Sequence, residues 1–458
     1  MYTFSTKRRN FEIMKLKQVT IDGYRNIDFT TVSFDTSITA LVSPNSYGKS
    51  NFFSGIGFAI DFIRSRKENK TRMMCLKRNV PLNVISPSKD FFAEFVLEDS
   101  FENKNYLICY GFSFAWINDK KEYGIKGEWL KYKENIGKQK YSSLIDRKEE
   151  AQYKPSETGR CNKKILLEKN ELAVNALSEQ HAVNSQLYNR FYSDINNMKA
   201  YVERHFDPSQ FYGLSDMFYP SDMVPDDFED IATLNYFNVP RATYALKAKY
   251  PEKFDLLVDA FTKLFPNIQS LSVERIDLGK SQREIMDSNQ EVPLTLSHIA
   301  YSLMVKDCHL NQSIDFSYLS DGVKRVFLTL INLFITQIEG YTFIALEEPE
   351  NSIHPALLNN YLHVLPQLNS TCPIIVSSHS PYLVNYLSPK SIYIGTPDIN
   401  GTARFKKISD SKLRAIERDA EECNLSLGSY IFELLSGDEE DNKLLSSYLE
   451  QKEDDKED

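Results

Sequence analysis

Three stretches of this sequence hold residue types, at spacings, that could do chemistry on a phosphate. Residues 341–354 read YTFIALEEPENSIH, an apolar run ending in the adjacent carboxylates Glu347 and Glu348. Residues 43–51 read SPNSYGKSN, and residues 373–381 read PIIVSSHSP, a second apolar run that ends near His379. Each apolar run reads as a buried central strand that delivers polar groups at its end. Where a loop joins a strand to a helix, backbone N–H groups without helical partners and the helix dipole attract an anion. Ser43, Pro44, Asn45, Ser46, Tyr47, Gly48 and Asn51 would form that cradle. Lys49 would reach the β and γ phosphates of a nucleotide, and the Ser50 hydroxyl would bind Mg²⁺. Glu347 suits the Mg²⁺ hydration shell, and Glu348 suits orienting and deprotonating a water. His379 could contact the γ-phosphate. The plain alternatives are a solvated strand end for the glutamates and a structural role for the histidine.

The loop departs from G-x-x-x-x-G-K-[ST], because Ser43 stands at the first glycine and Ser46 at another position often given to glycine. A left-handed backbone at either serine would cost on the order of 1 kcal/mol. Two adjacent strand residues also point to opposite faces, so the chain must bend at Glu347–Glu348 if both are to face one ligand.

The elements that position these residues follow from periodicity. Residues 14–40 read as two alternating strands separated by Gly23, the second running into the 43–51 loop. Phe52, Phe53, Ile56, Phe58, Ile60 and Ile63 then recur at helical spacing. Residues 91–97, 106–114 and 123–132 alternate as short antiparallel strands, the pattern of a side sheet. Residues 160–266 form amphipathic text broken by Pro208, Pro220, Pro225 and Pro240, the pattern of a helical insertion. Its aromatic residues, among them Tyr188, Phe191, Tyr192, Phe206, Phe211, Tyr212, Phe218 and Tyr219, either fill its own core or make a partner face. Strand-like text returns at 271–276 and 312–319, followed by a turn and an apolar helix. The domains expected are 1–159 and 267–435 as two parts of one head, 160–266 as the insertion, and 436–458 as a frayed acidic tail.

A chain of 458 residues exceeds the size of a single core, so two lobes are expected. Its 42% hydrophobic and 26% charged residues are those of a soluble globular protein. No apolar run approaches a membrane span and the N-terminus lacks an apolar signal core, which predicts a cytoplasmic protein without a membrane partner. Six cysteines without a C-x-x-C argue against a zinc site or a disulfide framework and read as buried thiols. The net charge of −9 argues against a protein that coats nucleic acid indiscriminately, although residues 64–78 and 120–140 are locally basic.

Four motifs in this order make the chain resemble ABC-type ATPases. The branch is that of RecF, the structural-maintenance-of-chromosomes proteins and the OLD-like AAA proteins of bacterial anti-phage systems. They are MKLKQVTIDGYRNI leading to SPNSYGKSN, the signature-like Leu319-Ser320-Asp321-Gly322-Val323-Lys324-Arg325, Glu347 to Pro355 (EEPENSIHP), and His379 within SSHSP. The resemblance implies an α/β fold, an ABC-type P-loop ATPase head with an antiparallel side sheet and a helical insertion. It implies ATP and Mg²⁺ as cofactors. In that family the serine and glycine of the signature loop, here Ser320 and Gly322, bind the γ-phosphate held by the other protomer. A head-to-tail homodimer, or a higher homo-oligomer, follows. Glu347 replaces the more usual aspartate, and no zinc-hook hairpin is present. OLD-type relatives carry a nuclease domain after the ATPase, for which the residues after His379 leave no room. A separate effector, a nuclease or toxin, is therefore the implied partner, as in the PARIS, Septu and retron-associated systems. Two other readings stay open: a RecF-like repair ATPase that binds DNA through the basic stretches, and a nucleotide-binding scaffold that hydrolyses little.

Overall fold

The computed structural model describes residues 14–75, 89–117, 123–203, 214–215, 218–220, 239–277, 284–285, 294–296, 299–369, 372–396 and 400–450. The first half contains β1 (Lys15–Asp22), β2 (Thr30–Ser33), β3 (Ile38–Val42), α1 (Lys49–Arg64), α2 (Lys67–Met73), β4 (Phe91–Phe101), β5 (Lys104–Ala115), β6 (Gly124–Glu134), β7 (Ser142–Arg147), β8 (Ala151–Tyr153), β9 (Lys163–Ile165), α3 (Ala173–Glu179), α4 (Gln186–Asn197) and β10 (Ala200–Glu203). Next come β11 (Leu214–Ser215), β12 (Phe218–Pro220), α5 (Val239–Lys249), α6 (Pro251–Leu264), β13 (Ile268–Asp277), β14 (Glu284–Ile285), β15 (Leu294–Leu296), β16 (Ile299–Asp307), β17 (Ile314–Asp315) and α7 (Asp321–Ile338). The chain ends with β18 (Phe343–Glu347), α8 (Pro355–Leu368), β19 (Ile374–Ser378), α9 (Pro381–Tyr386), β20 (Ile392–Gly395), β21 (Phe405–Lys407), α10 (Leu413–Glu422), α11 (Leu427–Ser436) and α12 (Glu439–Tyr448). These elements form two compact units. One holds the residues up to Val202, Gly340–Glu347 and those from Thr371 on; the other holds Glu203–Glu339 and Glu348–Ser370.

The first unit has two sheets. A six-stranded sheet runs β10-β18-β19-β3-β20-β21, with β18, β19, β3 and β20 parallel. Strands β3 and β19 are buried along their whole length, which is why they read as unbroken apolar runs. The eight-stranded sheet, β2-β1-β4-β5-β6-β7-β8-β9, contains the expected antiparallel side strands β4, β5 and β6. Alternation along β4 sends Phe91, Ala93, Phe95 and Leu97 inward, where they join Ile108, Tyr110, Phe112 and Phe114 of β5. Helix α1 packs on this face: the Phe62 ring lies 4.8 Å from Phe114 and 5.1 Å from Phe112, both stacked. Each fully buried phenylalanine contributes roughly 1.5–3 kcal/mol, so this cluster anchors the helix that starts at Lys49.

The second unit packs α5 and α6 with an antiparallel sheet of order β11-β16-β13. Phe261 of α6 meets Phe327 of α7 at 5.2 Å and Phe316 at 6.1 Å. Helix α7 is buried from Lys324 to Thr336, as the apolar text after the signature-like loop requires.

Three expectations are corrected. Residues 30–42 are two strands, not one: Phe34, Asp35, Thr36 and Ser37 turn the chain so that β2 joins the antiparallel sheet and β3 the parallel one. Residues 160–266 do not make one helical body, since the part up to Val202 clusters with the first unit and the part from Glu203 with the second. There Tyr188 and Phe191 belong to the core of the first unit, a filling role. Phe206, Phe211 and Tyr212, with Pro208 and Pro225, lie outside the described residues, as do the side chains of Phe218 and Tyr219. The acidic stretch from residue 436 is not frayed through residue 450. Asp438 and Asp441 form a reciprocal capping box at the start of α12, and Glu439, Glu440 and Asp441 suit the positive end of that helix. Leu445, Tyr448 and Leu449 are buried beneath it. Residues 451–458 lie outside the described residues.

Candidate functional site

In the first unit, the parallel register sets the geometry. Glu347 pairs with Ser377 across β18 and β19, and Ser378 pairs with Val42 across β19 and β3. The C-terminal ends of these strands therefore share one edge of the sheet. Glu347 closes β18, Ser43 follows β3, and His379 follows β19. Parallel sheets hold ligands outside the carboxyl ends of their strands. The sheet thus gathers the 43–51 loop, Glu347 and His379.

The loop itself is shaped for an anion. Helix α1 starts at Lys49 behind Gly48, with no side-chain cap hydrogen bond and no acidic residue in its first turn, which leaves its positive end suited to an anion. The Lys49 side chain is buried in the loop, its Nζ donating to the Ser43 carbonyl at 2.8 Å and the Pro44 carbonyl at 3.2 Å. Ser50, Asn45 and Ser46 are exposed. Ser46 has φ +60°, and Ser43 is not among the left-handed residues, so the conformational cost falls on Ser46. An uncapped helix start, an ammonium, the Ser50 hydroxyl and the Glu347 carboxylate are a donor set that fits a nucleotide polyphosphate and Mg²⁺.

Sequence reasoning missed the residues that brace this loop. The Asn26 side chain is buried; its Nδ2 donates to the Tyr47 carbonyl at 2.8 Å and its Oδ1 accepts from Asn51 Nδ2 at 2.8 Å. Arg25, at φ +54°, donates to Asn51 Oδ1 at 2.9 Å. The Tyr47 hydroxyl donates to the Thr396 carbonyl at the end of β20. Its ring packs so closely on Gly395 that a Cβ there would sit 2.4 Å from a ring carbon. Nearby, Asp28 pairs with Lys89 and Arg404. Burial pushes the Asp28 carboxyl up, but the two cations outweigh it and hold it below its ordinary value. The partners of Asn26 are over twenty residues away, and no local pattern announces such contacts.

The second unit holds the other predicted residues. Ser320 sits at the N-cap position of α7, exposed, and its side chain makes no capping bond. Gly322 abuts the Ser352 carbonyl, which a Cβ would approach to 2.2 Å, so only glycine allows this close approach. Glu348 has φ +47°, the bend expected after Glu347, at a cost of roughly 1–3 kcal/mol for a residue other than glycine. Its carboxylate accepts from Asn351 Nδ2 at 2.6 Å, and its carbonyl accepts from Arg325 Nη2 at 2.8 Å.

Other expectations are corrected. Only Cys372 is a buried thiol; Cys75, Cys109 and Cys161 are half-buried, and Cys308 and Cys423 are exposed. In the basic stretch 64–78, Lys70 is buried, donating to the Ser65 carbonyl at 2.5 Å and Asn175 Oδ1 at 3.1 Å. Burial pushes its ammonium down to about 8. It is a helix-end cap, not part of a solvated basic face. Residues 76–78 and 120–122 of the basic stretches lie outside the described residues. Among the described residues no helix is long and apolar enough to cross a membrane.

A glycine-poor phosphate-type loop between a parallel strand and a buried helix, with carboxylate and histidine on the same sheet edge, defines a P-loop nucleotide-binding protein of mixed α/β type. Residues 38–385 match the family described as "AAA domain, putative AbiEii toxin, Type IV TA system", and the chain belongs to it. No curated protein matches the chain. Among solved structures it is similar to the SMC head domain from Thermotoga maritima, at 12% identity and TM-score 0.40 over 86% of this chain and 100% of that one. It is also similar to an Smc head domain with an extended coiled coil bound to the C-terminal domain of ScpA, derived from Pyrococcus furiosus. That match has 11% identity and TM-score 0.46 over 89% of this chain and 100% of that one.

Proposed function

We propose that this protein is an ATPase that binds MgATP on the 43–51 loop and hydrolyses it, and that nucleotide-driven pairing of two copies controls a separate effector. The observation that carries the reading is the shared sheet edge, where Glu347 closes one of three neighbouring parallel strands and the 43–51 loop, with Lys49 and Ser50 at its end, and His379 follow the other two. Lys49 and the start of α1 hold the phosphates. Ser50 and Glu347 would hold Mg²⁺, which when bound neutralises charge on the β and γ phosphates. Glu348 orients a water and takes its proton, and His379 contacts the γ-phosphate. Ser320 and Gly322 complete the site of a second copy, in keeping with an exposed serine hydroxyl that is not spent on capping its own helix.

The family description names a toxin and a toxin–antitoxin system, which supports a place in such a system; control of a separate nuclease or toxin in anti-phage defence rests on the resemblance carried by the sequence motifs. Cytoplasmic localisation belongs to the same reading. Glu348→Gln tests the catalytic part: it should keep nucleotide binding and lose roughly 10²–10⁴-fold in turnover, the range of a general base. Turnover near wild type in that variant would remove Glu348 from the role.

A second reading, DNA binding, is supported by a groove of about 590 Å³ on the antiparallel sheet, lined by Lys126, Trp129, Lys131, Arg147 and Lys148 beside Asp146 and Glu149. It requires duplex affinity that falls steeply between 50 and 200 mM salt, as counterion release dictates. Affinity that is flat with salt, or absent at low salt, removes this reading.

A further inference from the structure

A buried polar cluster in the second unit has no part in the chemistry above. Arg325, Thr329 and Asn332 lie one and two turns apart along one face of α7, all buried. They face Glu203, which is buried and whose carboxylate accepts from Thr329 Oγ1 at 3.2 Å and Asn332 Nδ2 at 3.4 Å. Burial pushes the Glu203 carboxyl up, while the Arg325 charge pulls it the other way. Tyr361 of α8, wholly buried, borders the same cluster and feels both charges.

Such a cluster is an expensive way to stabilise a core. Apolar residues of similar volume often do as well or better than a buried pair of opposite charges, which is retained where it fixes one arrangement. Arg325 Nη2 donates to the carbonyl of Glu348, the residue held left-handed at φ +47°. Asn351 donates to the same carbonyl through its backbone at 3.1 Å and to the Glu348 carboxylate through its side chain at 2.6 Å. A strained backbone persists only where its surroundings over-determine it.

We propose that Arg325 is a positioning residue whose hydrogen bond to the Glu348 carbonyl locks the left-handed backbone of that residue and so aims its carboxylate for water activation, with the buried Glu203 charge favouring the guanidinium in this place. This rests on the reading of Glu348 as the base. Arg325 reaches Glu348 through its backbone carbonyl, and Glu203 acts on Arg325 by charge. Both therefore act on turnover through geometry, and nucleotide affinity, set by the 43–51 loop, stays unchanged.

The test compares Arg325→Gln, Arg325→Lys, Glu203→Gln and the apolar double variant Glu203→Met/Arg325→Met with wild type in the full chain. It measures kcat, KM for MgATP, equilibrium binding of an ATP analogue and the urea midpoint. Arg325→Gln should lower kcat at least tenfold with analogue affinity within twofold, and Arg325→Lys should recover part of the loss. Glu203→Gln should lower kcat in the same direction. The double variant should unfold no more easily than wild type yet keep the kcat defect, an outcome that a merely structural role would not give. A folded double variant, or a folded Arg325→Gln, with kcat within twofold of wild type overturns the proposal. If the double variant does not fold, the Arg325→Lys and Glu203→Gln values decide in the same way. Glu348→Gln measured beside them separates the two failures. Full turnover in Glu348→Gln refutes the base assignment, whereas its loss with normal turnover in the Arg325 and Glu203 variants refutes positioning alone.

Discussion

Asn26→Ala removes the brace that holds the phosphate-type loop against the turn between β1 and β2. Two hydrogen bonds of 2.8 Å disappear, the donation to the Tyr47 carbonyl and the acceptance from Asn51 Nδ2. Each is worth about 1 kcal/mol net, and Asn51, itself buried, is left with an unpaired amide hydrogen, so the total is about 2–3 kcal/mol. At 1.4 kcal/mol per factor of ten, that is roughly a 30- to 150-fold loss in the ratio of folded to unfolded protein. Urea titration followed by tryptophan fluorescence reads this directly. Binding should suffer separately, because a loosened loop must be ordered at a cost of about 1–2 kcal/mol per residue when the nucleotide arrives. A fluorescent ATP analogue should therefore bind at least tenfold more weakly to Asn26→Ala under conditions where both proteins are folded. A change in stability below about 0.5 kcal/mol, with affinity within twofold, would refute the claim that Asn26 holds the loop.

Three further outcomes are expected. Asp28→Asn breaks the pairs to Lys89 and Arg404 and should cost about 2 kcal/mol at pH 7 by urea titration. Because the folded pKa of Asp28 lies below its ordinary 3.8, this contribution is present above that value and is lost as pH falls through the lower folded pKa. The gap between the two proteins should therefore close below about pH 3.8, and a gap that widens in acid would contradict the pairing. Leu445→Ala, at a wholly buried position of α12, should cost about 2–5 kcal/mol, whereas a frayed tail would lose almost nothing. Mixing Ser320→Arg with Lys49→Ala protein should restore part of the activity that each lacks alone, and a flat curve across mixing ratios would rule out a site shared between two copies.

Much of this sheet edge was legible because its signals are local. The apolar runs before Glu347 and His379 are the buried parallel strands, and Lys49 opens a helix whose buried face was readable from Phe52, Phe53, Ile56 and Ile63. The bend after Glu347 was also expected, from the need to turn two adjacent carboxylates. Illegible features were those decided by distant partners. Asn26 and Gly395 matter through Tyr47, and Glu203 through α7, contacts that no short window contains. Charge was the misleading signal. Lys70 read as part of a basic face and the residues from 436 as a solvated tail, yet Lys70 caps a helix end and the acidic cluster starts α12, because a helix terminus attracts charge for its own reasons. The single strand read over residues 30–42 failed because alternation continues through Phe34 while Asp35 to Ser37 move the chain to another sheet.

The central claim is that the 43–51 loop binds and turns over ATP, and phosphate release tests it most directly. Purified full-length protein is incubated with MgATP beside Lys49→Ala, and inorganic phosphate is followed over time. The account predicts steady release by the wild type and release near the no-enzyme rate for Lys49→Ala, whose ammonium is removed from the loop it now occupies beside the Ser43 and Pro44 carbonyls. Equal release by the two proteins, or none by the wild type, would contradict it.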